Sequence, residues 1–138
     1  VGTEGTVRVL AQTYNDSDVI KAAETVIVIC EEIVPDEFLR REPTQNLATG
    51  YEIDYVVKCP WSAHPTGSQY FYDTDADFLR FFNANTRTQE QFDKWADEWI
   101  FGVKSQEEYL DKLGTRRMEM LRASQSMGYS TSVKRGTR

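Results

Sequence analysis

The chain has 138 residues and a formal net charge of −6, enough length for a real core, since a domain of this size buries roughly 70% of its unfolded surface. The acidic balance argues against nucleic-acid binding, which needs a basic stripe to neutralise phosphates. No apolar run approaches the ~20 residues of a membrane span and no charged-plus-apolar leader opens the chain, so we expect a soluble, cytoplasmic protein.

The first third of the chain reads as strand, helix and strand. Residues 6–11 predict a short strand, and the turn at 15–17 supplies an N-cap for a helix over 17–24. Residues 25–33 are apolar on both faces, which is typical of a strand covered on both sides in a parallel sheet. Together they predict a βαβ unit. The helix is expected to bury Val19, Ile20 and Ala23.

A second strand is predicted after a short helix. Pro35 can begin a helix over 35–41, and Pro43 ends it. Residues 44–50 predict a loop with a short extended piece. The chain then alternates from residue 51 onward, as in a strand with one face buried, and stops at Pro60, which cannot donate a ladder hydrogen bond.

The last part of the chain is predicted to be helical. A helix starts at 74–77, and capping boxes at 88–91 and 105–108 start two more. The second helix carries one apolar stripe: Phe92, Trp95, Ala96, Trp99 and Ile100. The aromatic surface must pack on the sheet or on another chain, which implies a partner. Residues 1–124 are expected to be folded and 125–138 to be a disordered tail.

The loop after Pro60 carries candidate binding residues. Ser62 and His64, the single histidine of the chain, could donate hydrogen bonds to a carboxylate or thioester oxygen, while Trp61 excludes water. A Ser–His nucleophilic pair is disfavoured, because no carboxylate is assigned to orient the imidazole. Alternatively, His64 fixes the loop by bonding backbone carbonyls, and Trp61 packs under the helices.

Two acidic residues end the apolar strand. Glu31 or Glu32 could point into the crevice at the carboxyl ends of a parallel sheet, where ligands bind in such folds. A desolvated carboxylate there could act as acid, base or nucleophile. The structural alternative is a glutamate that accepts backbone N–H bonds or pairs with Arg40 or Arg41.

One histidine and scattered carboxylates do not predict a metal site. Cys30 and Cys59 lack CxxC spacing and are expected to be reduced, although neighbouring strands could bridge them.

Six short segments carry a resemblance to a known family, in the right order and spacing. They are residues 31–34 (EEIV), 40–41 (RR), 60–65 (PWSAHP), 72–73 (YD), 86–88 (TRT) and 102–103 (GV). The chain resembles, from about Gly5 to about Gly114, the C-terminal part of the alpha subunit of family I CoA-transferases, above all of the glutaconate CoA-transferase type. Residues 11–24 follow the family pattern only loosely.

The resemblance implies an α/β fold: part of an open, mostly parallel sheet with a helical C-terminal segment. In this family a glutamate carboxylate attacks the acyl-CoA carbonyl, and the mixed anhydride becomes a glutamyl-CoA thioester. For the glutaconate type that glutamate is on the beta subunit, so no catalytic residue is expected on this chain. Coenzyme A is expected as a substrate, with no cofactor. Substrate-binding residues would be Glu31, Trp61, Ser62 and His64.

The implied partners are the N-terminal alpha portion and a beta-type subunit, because the chain starts without Met and the family's alpha subunits are longer. We therefore expect a fragment, a cleavage product or half of a split subunit. The implied function is transfer of CoA between an acyl-CoA and a carboxylic or dicarboxylic acid. The alternatives are a ring-opening acyl-CoA hydrolase subunit of the same fold and a non-catalytic assembly subunit.

Overall fold

The chain divides into two compact units, Val1–Ser62 and Ala63–Arg138. The computed structural model describes residues 1–9 and 15–124. The predicted tail at 125–138 and the end of the predicted first strand lie outside these residues. Within the described ranges, the helices are too short or too polar to cross a membrane.

The described residues of the first unit form four short strands and two short α-helices. In chain order they are β1 (Val7–Arg8), α1 (Asp16–Ala22), β2 (Ile27–Cys30), α2 (Asp36–Arg40), β3 (Asn46–Ala48) and β4 (Tyr55–Lys58). β1 pairs antiparallel with β3, whereas β2 pairs parallel with β4. The predicted βαβ unit is therefore wrong, because β1 and β2 lie in different two-stranded sheets. The short extended piece expected at 44–50 is β3.

Arg8 explains why β1 pairs with β3. Its guanidinium donates to Asn46 Oδ1 at 3.1 Å and to the carbonyls of Leu39 and Glu42 at 2.8 and 2.9 Å. These bonds satisfy the end of α2 and hold it against β1. A small core lies beside them, in which Val7, Leu39 and Ala48 are 2–5% exposed.

A close backbone approach at Gly50 holds the turn after β3. A side chain at Gly50 would place a Cβ 1.9 Å from the Glu4 carbonyl oxygen, so only glycine fits. Thr49 and Glu52 form a capping box around the same turn, in which the Glu52 carboxylate accepts from the Thr49 N–H at 2.8 Å.

The parallel pair is less covered than its sequence predicts. Ile27 and Ile29 of β2 are 60% and 59% exposed, and Tyr55 and Val57 of β4 are 60% and 46% exposed. The expectation of a strand covered on both faces is thus not met within this unit. The predicted one-sided burial of the strand after residue 51 is not met either, because all four residues of β4 are exposed.

Helix α1 is also exposed on its apolar side. Val19 is 63% exposed, and α1 buries none of its residues. The prediction that this helix buries Val19, Ile20 and Ala23 is wrong. Apolar spacing shows which residues lie on one side of a helix, but it does not show whether another part of the protein packs against that side.

The second unit is helical. It contains α3 (Ala76–Asn85), α4 (Gln89–Ala96), α5 (Gln106–Leu113) and α6 (Thr115–Ser124). The capping box at Thr88 is confirmed, since Thr88 and Gln91 each accept the other's backbone N–H. At Ser105 only half of the box forms: Ser105 Oγ accepts from the Glu108 N–H, but the Glu108 carboxylate accepts from the Lys104 N–H instead.

Aromatic rings in edge-to-face contact fill this unit. The Phe78 ring lies 4.9 Å from that of Trp99, and the Phe82 ring 4.8 Å from that of Trp95. Phe78 is 4% exposed and is the centre of the cluster. Much of the aromatic surface is thus packed within the unit, although the indole N–H groups of Trp95 and Trp99 are buried without a hydrogen-bond partner among the described residues.

The predicted straight stripe from Phe92 to Ile100 is interrupted. The α-helix ends at Ala96, and a π-helical turn covers Asp97–Phe101. The wider turn changes the phase of the residues after it, which leaves Ile100 51% and Phe101 75% exposed. Gly102 follows because a Cβ there would lie 2.5 Å from the Asp97 carbonyl oxygen.

Candidate functional site

Two of the predicted residues meet at the carboxyl ends of the parallel strands. The ladder of β2 and β4 continues one residue further, where the Cys59 N–H donates to the Cys30 carbonyl at 2.9 Å. Just beyond it, the Trp61 N–H donates to Glu31 Oε2 at 2.8 Å. The sequence left open a structural role in which Glu31 accepts a backbone N–H, and the structure contains that bond. A binding role for Glu31 stays a prediction.

Trp61 and Ser62 form a tight turn. Trp61 has φ 67°, in the left-handed region that bulky residues rarely occupy, and it is 2% exposed. The Ser62 N–H closes the turn on the Cys59 carbonyl at 3.2 Å, and Ser62 itself is exposed. Of the four predicted residues, Ser62 is therefore the one that solvent reaches most freely. Cys30 and Cys59, which end the two strands before this turn, are both free thiols.

His64 lies in the second unit, at the centre of a buried polar cluster. Its Nε2 lies 3.0 Å from Asp75 Oδ2, and its Nδ1 hydrogen-bonds the Tyr109 hydroxyl. A carboxylate only accepts, so Nε2 carries the proton and Nδ1 accepts from the tyrosine. The imidazole is 0% exposed. Its partners are these two side chains, not the backbone carbonyls considered in the sequence analysis.

Asp75 organises this cluster. Its carboxylate caps α3 by accepting from the Phe78 N–H at 2.8 Å, and it takes a two-pronged bond from the Arg117 guanidinium, with Nη2 at 2.8 Å. Its own N–H donates to the Pro65 carbonyl at 2.9 Å. One carboxylate thus connects the His64 loop, the start of α3 and the helix α6. We call the four side chains of His64, Asp75, Tyr109 and Arg117 the Asp75 cluster.

The protonation states follow from these contacts. Burial alone would raise the pKa of Asp75, but hydrogen bonds from Arg117, Phe78 and His64 lower it to about 2. Burial lowers the pKa of His64 even though Asp75 opposes the shift, so the imidazole is neutral at pH 7. Burial, helped by the Asp75 charge, raises the pKa of Tyr109 to about 12.

The Asp75 cluster has the chemistry of a rigid support. A charged carboxylate, a neutral imidazole and a protonated phenol satisfy one another, and Arg117 neutralises the buried charge. Within the described residues, His, Cys, Asp and Glu side chains form no group that could hold a metal ion. Tyr72 also fixes the backbone just before His64, because its hydroxyl accepts a hydrogen bond from the Ala63 N–H at 3.1 Å.

Sequence reasoning missed three members of this cluster. Asp75 falls in the predicted helix start at 74–77 without a further role, and the sequence gives Tyr109 and Arg117 no role in a site. One signal was available: a lone histidine in a proline-bounded loop needs a carboxylate partner, and an N-cap aspartate eleven residues later is a ready one. Tyr109 and Arg117 are 45 and 42 residues from their partners and leave no such local trace.

Comparison with known proteins gives three related sequences. The A subunit of glutaconate CoA-transferase from Acidaminococcus fermentans is 42% identical over 126 residues, which are 91% of this chain and 39% of that protein. The A subunit of 3-oxoadipate CoA-transferase from Pseudomonas knackmussii is 30% identical over 92 residues, 67% of this chain and 32% of that protein. An uncharacterized protein of Archaeoglobus fulgidus is 32% identical over 108 residues, 78% of this chain and 24% of that protein. No protein-family model matches the chain.

The fold has a counterpart among solved structures. The crystal structure of glutaconate coenzyme A-transferase from Acidaminococcus fermentans matches with a TM-score of 0.82 at 42% identity, over 88% of this chain and 38% of that one. This match confirms the predicted α/β class with a helical C-terminal segment. The chain spans about two fifths of the length of its Acidaminococcus relative, and less of the other two.

Proposed function

We infer, from the homology of this chain to the alpha subunits of CoA-transferases, that it works within such a subunit and helps to move CoA from an acyl-CoA to a carboxylic or dicarboxylic acid. The resemblance noted from the sequence is confirmed by 42% identity over 91% of the chain, and this observation carries the proposal. Both named relatives are the A component of their enzymes, which supports a partner subunit of the beta type. The cytoplasmic location stays a prediction.

In this proposal the nucleophilic glutamate belongs to the partner, and this chain shapes the acyl site. Ser62 is proposed to contact substrate, since it is exposed at the carboxyl end of β4, next to Glu31 and Trp61. Crevices at such strand ends are where open α/β sheets bind ligands. His64 is proposed to act by positioning its loop, because its imidazole is fully buried and both ring nitrogens are hydrogen-bonded.

A chimera tests the proposal. This chain would replace the segment that it matches in the Acidaminococcus glutaconate CoA-transferase, and the hybrid would be co-expressed with the partner subunit of that enzyme. We expect CoA transfer from an acyl-CoA to a free dicarboxylic acid such as glutaconate. A chimera that folds and assembles but does not transfer CoA would contradict the proposed function.

Two controls sharpen the result. Turnover without an added acid would indicate hydrolysis and favour the ring-opening hydrolase alternative. Ser62→Ala should lower turnover of the chimera, whereas Ser105→Ala, at a helix start in the second unit, should change stability and leave turnover unaltered. Equal turnover in both variants would remove Ser62 from the acyl site.

A further inference from the structure

The imidazole of His64 is held by groups from three helices of the second unit. Its Nε2 donates to Oδ2 of Asp75, the N-cap of α3, at 3.0 Å, and its Nδ1 accepts from the Tyr109 hydroxyl of α5. Arg117 of α6 bonds the same Asp75 carboxylate. The Phe78 ring of α3 lies 5.0 Å from the imidazole in edge-to-face contact. Both ring nitrogens are therefore used, one as donor and one as acceptor.

The Asp75 cluster carries no net charge in this arrangement. The Asp75 carboxylate is negative and the Arg117 guanidinium positive, while His64 and Tyr109 are neutral. These are the ionisable groups that face the imidazole from α3, α5 and α6. Asp77 also acts on Arg117, but its side chain is 78% exposed to water. A change in the charge of His64 is therefore felt by the buried cluster before any surface group compensates it.

A second proton on His64 conflicts with these bonds. Nδ1–H would face the Tyr109 hydroxyl as one donor facing another, and the hydroxyl could accept only if its own proton turned to a different acceptor. Among the described residues, the Tyr109 hydroxyl makes no second hydrogen bond. The proton would also leave a net positive charge beside Arg117, where the imidazole is 0% exposed. Burial accordingly lowers the pKa of His64.

The segment 63–75, which carries the imidazole, is closed on itself. The Ala63 N–H donates to the Tyr72 hydroxyl and the Gly67 N–H donates to Thr74 Oγ1, each at 3.1 Å. Neither bond involves α5. The segment can therefore keep these internal bonds when a bond to α5 is lost.

We propose that the Asp75 cluster is an acid-sensitive switch, in which protonation of His64 ends the hydrogen bond from Tyr109 and releases the segment 63–75 from α5. The bond from the imidazole to Asp75 persists, because the protonated ring still donates from Nε2. The switch itself rests on contacts within this chain. Its effect on CoA transfer rests on the proposed function, in which His64 positions its loop.

The test uses the single histidine of the chain. In the ¹⁵N-labelled chain of 138 residues, made without a histidine tag, long-range ¹H–¹⁵N NMR spectra report which ring nitrogen of His64 carries a proton. At pH 8 we expect a protonated Nε2 and an unprotonated Nδ1. As the pH falls to 5, the ring should take up its second proton with a midpoint below the usual 6.5. The ring signals of Tyr109 should change with the same midpoint.

Tyr109→Phe removes the donor to Nδ1 and keeps the aromatic ring. The midpoint should rise by about 0.5–1 pH unit, because the neutral imidazole loses one hydrogen bond. Tyr51→Phe is the matched control, since Tyr51 is fully exposed in the first unit, and it should leave the midpoint unchanged. Circular dichroism should show that both variants retain the wild-type fold.

Four results would overturn the proposed switch. They are a proton on Nδ1 at pH 8, a wild-type midpoint at the usual 6.5, Tyr109 ring signals that do not follow the titration, and an equal midpoint in Tyr109→Phe and the wild type. The first three need only the wild-type chain, so the proposal stays testable even if Tyr109→Phe does not fold.

Turnover of the chimera separates the switch from the proposed function. CoA transfer should fall on acidification, and Tyr109→Phe should move this fall to higher pH by the same amount as the NMR midpoint, whereas Tyr51→Phe should not. If NMR shows the switch but the fall does not move, the proposed positioning role of His64 is refuted and the switch stands. A chimera that transfers no CoA refutes the proposed function alone, because the NMR titration does not depend on transfer.

Discussion

Replacing Asp75 with Asn should destabilise the helical unit in a strongly pH-dependent way. The carboxylate accepts bonds from the Phe78 N–H, from His64 Nε2 and from the Arg117 guanidinium, and its side chain is 3% exposed. Asparagine keeps the size of the side chain but loses its charge. The amide could still cap α3, so the loss falls mainly on the bonds to His64 and Arg117.

The magnitude follows from the lowered pKa. Folding takes the pKa of Asp75 from its usual 3.8 to about 2, and one pKa unit corresponds to about 1.4 kcal/mol, so the charge contributes roughly 2–3 kcal/mol to the free energy of unfolding. Because the folded-state pKa is the lower one, this contribution is fully present above pH 4. It is lost as the pH falls through about 2.

Urea unfolding followed by far-UV circular dichroism measures the effect. Helices α3 to α6 all lie in the second unit, so the helical signal reports mainly on the unit that contains Asp75. We expect Asp75→Asn to lower the free energy of unfolding by about 2–3 kcal/mol at pH 7, and by much less near pH 2. Asp77→Asn is the matched control: Asp77 pairs with Arg80 at the surface, and such exposed pairs contribute about 0–1 kcal/mol.

Two results would refute this reasoning. If Asp75→Asn cost no more than Asp77→Asn at pH 7, the Asp75 cluster would not support the unit. If the cost were the same at pH 2 as at pH 7, it would arise from packing and not from the carboxylate charge.

Three further changes test neighbouring contacts. Burial lowers the pKa of His64 below its usual 6.5, so the imidazole binds a proton more tightly in the unfolded chain than in the folded one. The free energy of unfolding should therefore fall as the pH drops below about 6.5. His64→Gln should flatten this pH dependence in urea titrations from pH 5 to 8, and an unchanged slope would contradict the assignment. Tyr109→Phe keeps the ring but leaves His64 Nδ1 without its donor, at a cost of about 1–3 kcal/mol in the same titration at pH 7, and a neutral result would argue against this bond. Thr88→Ala removes the acceptor of the Gln91 N–H and should lower the free energy of unfolding by about 1 kcal/mol, whereas Thr88→Ser should restore it.

Local signals in the sequence predicted helix starts in both units. The capping box at Thr88 depends on two residues that are three apart in sequence, and the start of α2 depends on the ring of Pro35. Neither prediction therefore needs knowledge of the rest of the fold. The start of α3 was placed within one or two residues for the same reason. Predictions of this kind succeed because the backbone groups that they satisfy are near in sequence.

Strand pairing and burial were not predictable in this way. The pairing of β1 with β3 is supported by Arg8, whose acceptors are 31 to 38 residues away, and alternation alone cannot choose between β2 and β3. The apolar pattern of Ile27 and Ile29 correctly indicates a strand, but the surface that would cover it is not in the described structure. Glu31 was placed at the right strand end, whereas its contact with Trp61 depends on a left-handed turn that no residue type announces.

The division of the chain at Ser62 also separates its natural fluorophores. Trp61 ends the first unit, while Trp95 and Trp99 lie in the second. Indole emission shifts to longer wavelength when water reaches the ring, and Trp61 is 2% exposed in the folded chain. With excitation that is selective for tryptophan, a Trp61→Phe chain would therefore emit from the helical unit alone, and a chain without the other two tryptophans would emit from the strand-containing unit alone. Each half of the molecule thus has its own optical reporter, with no dye attached.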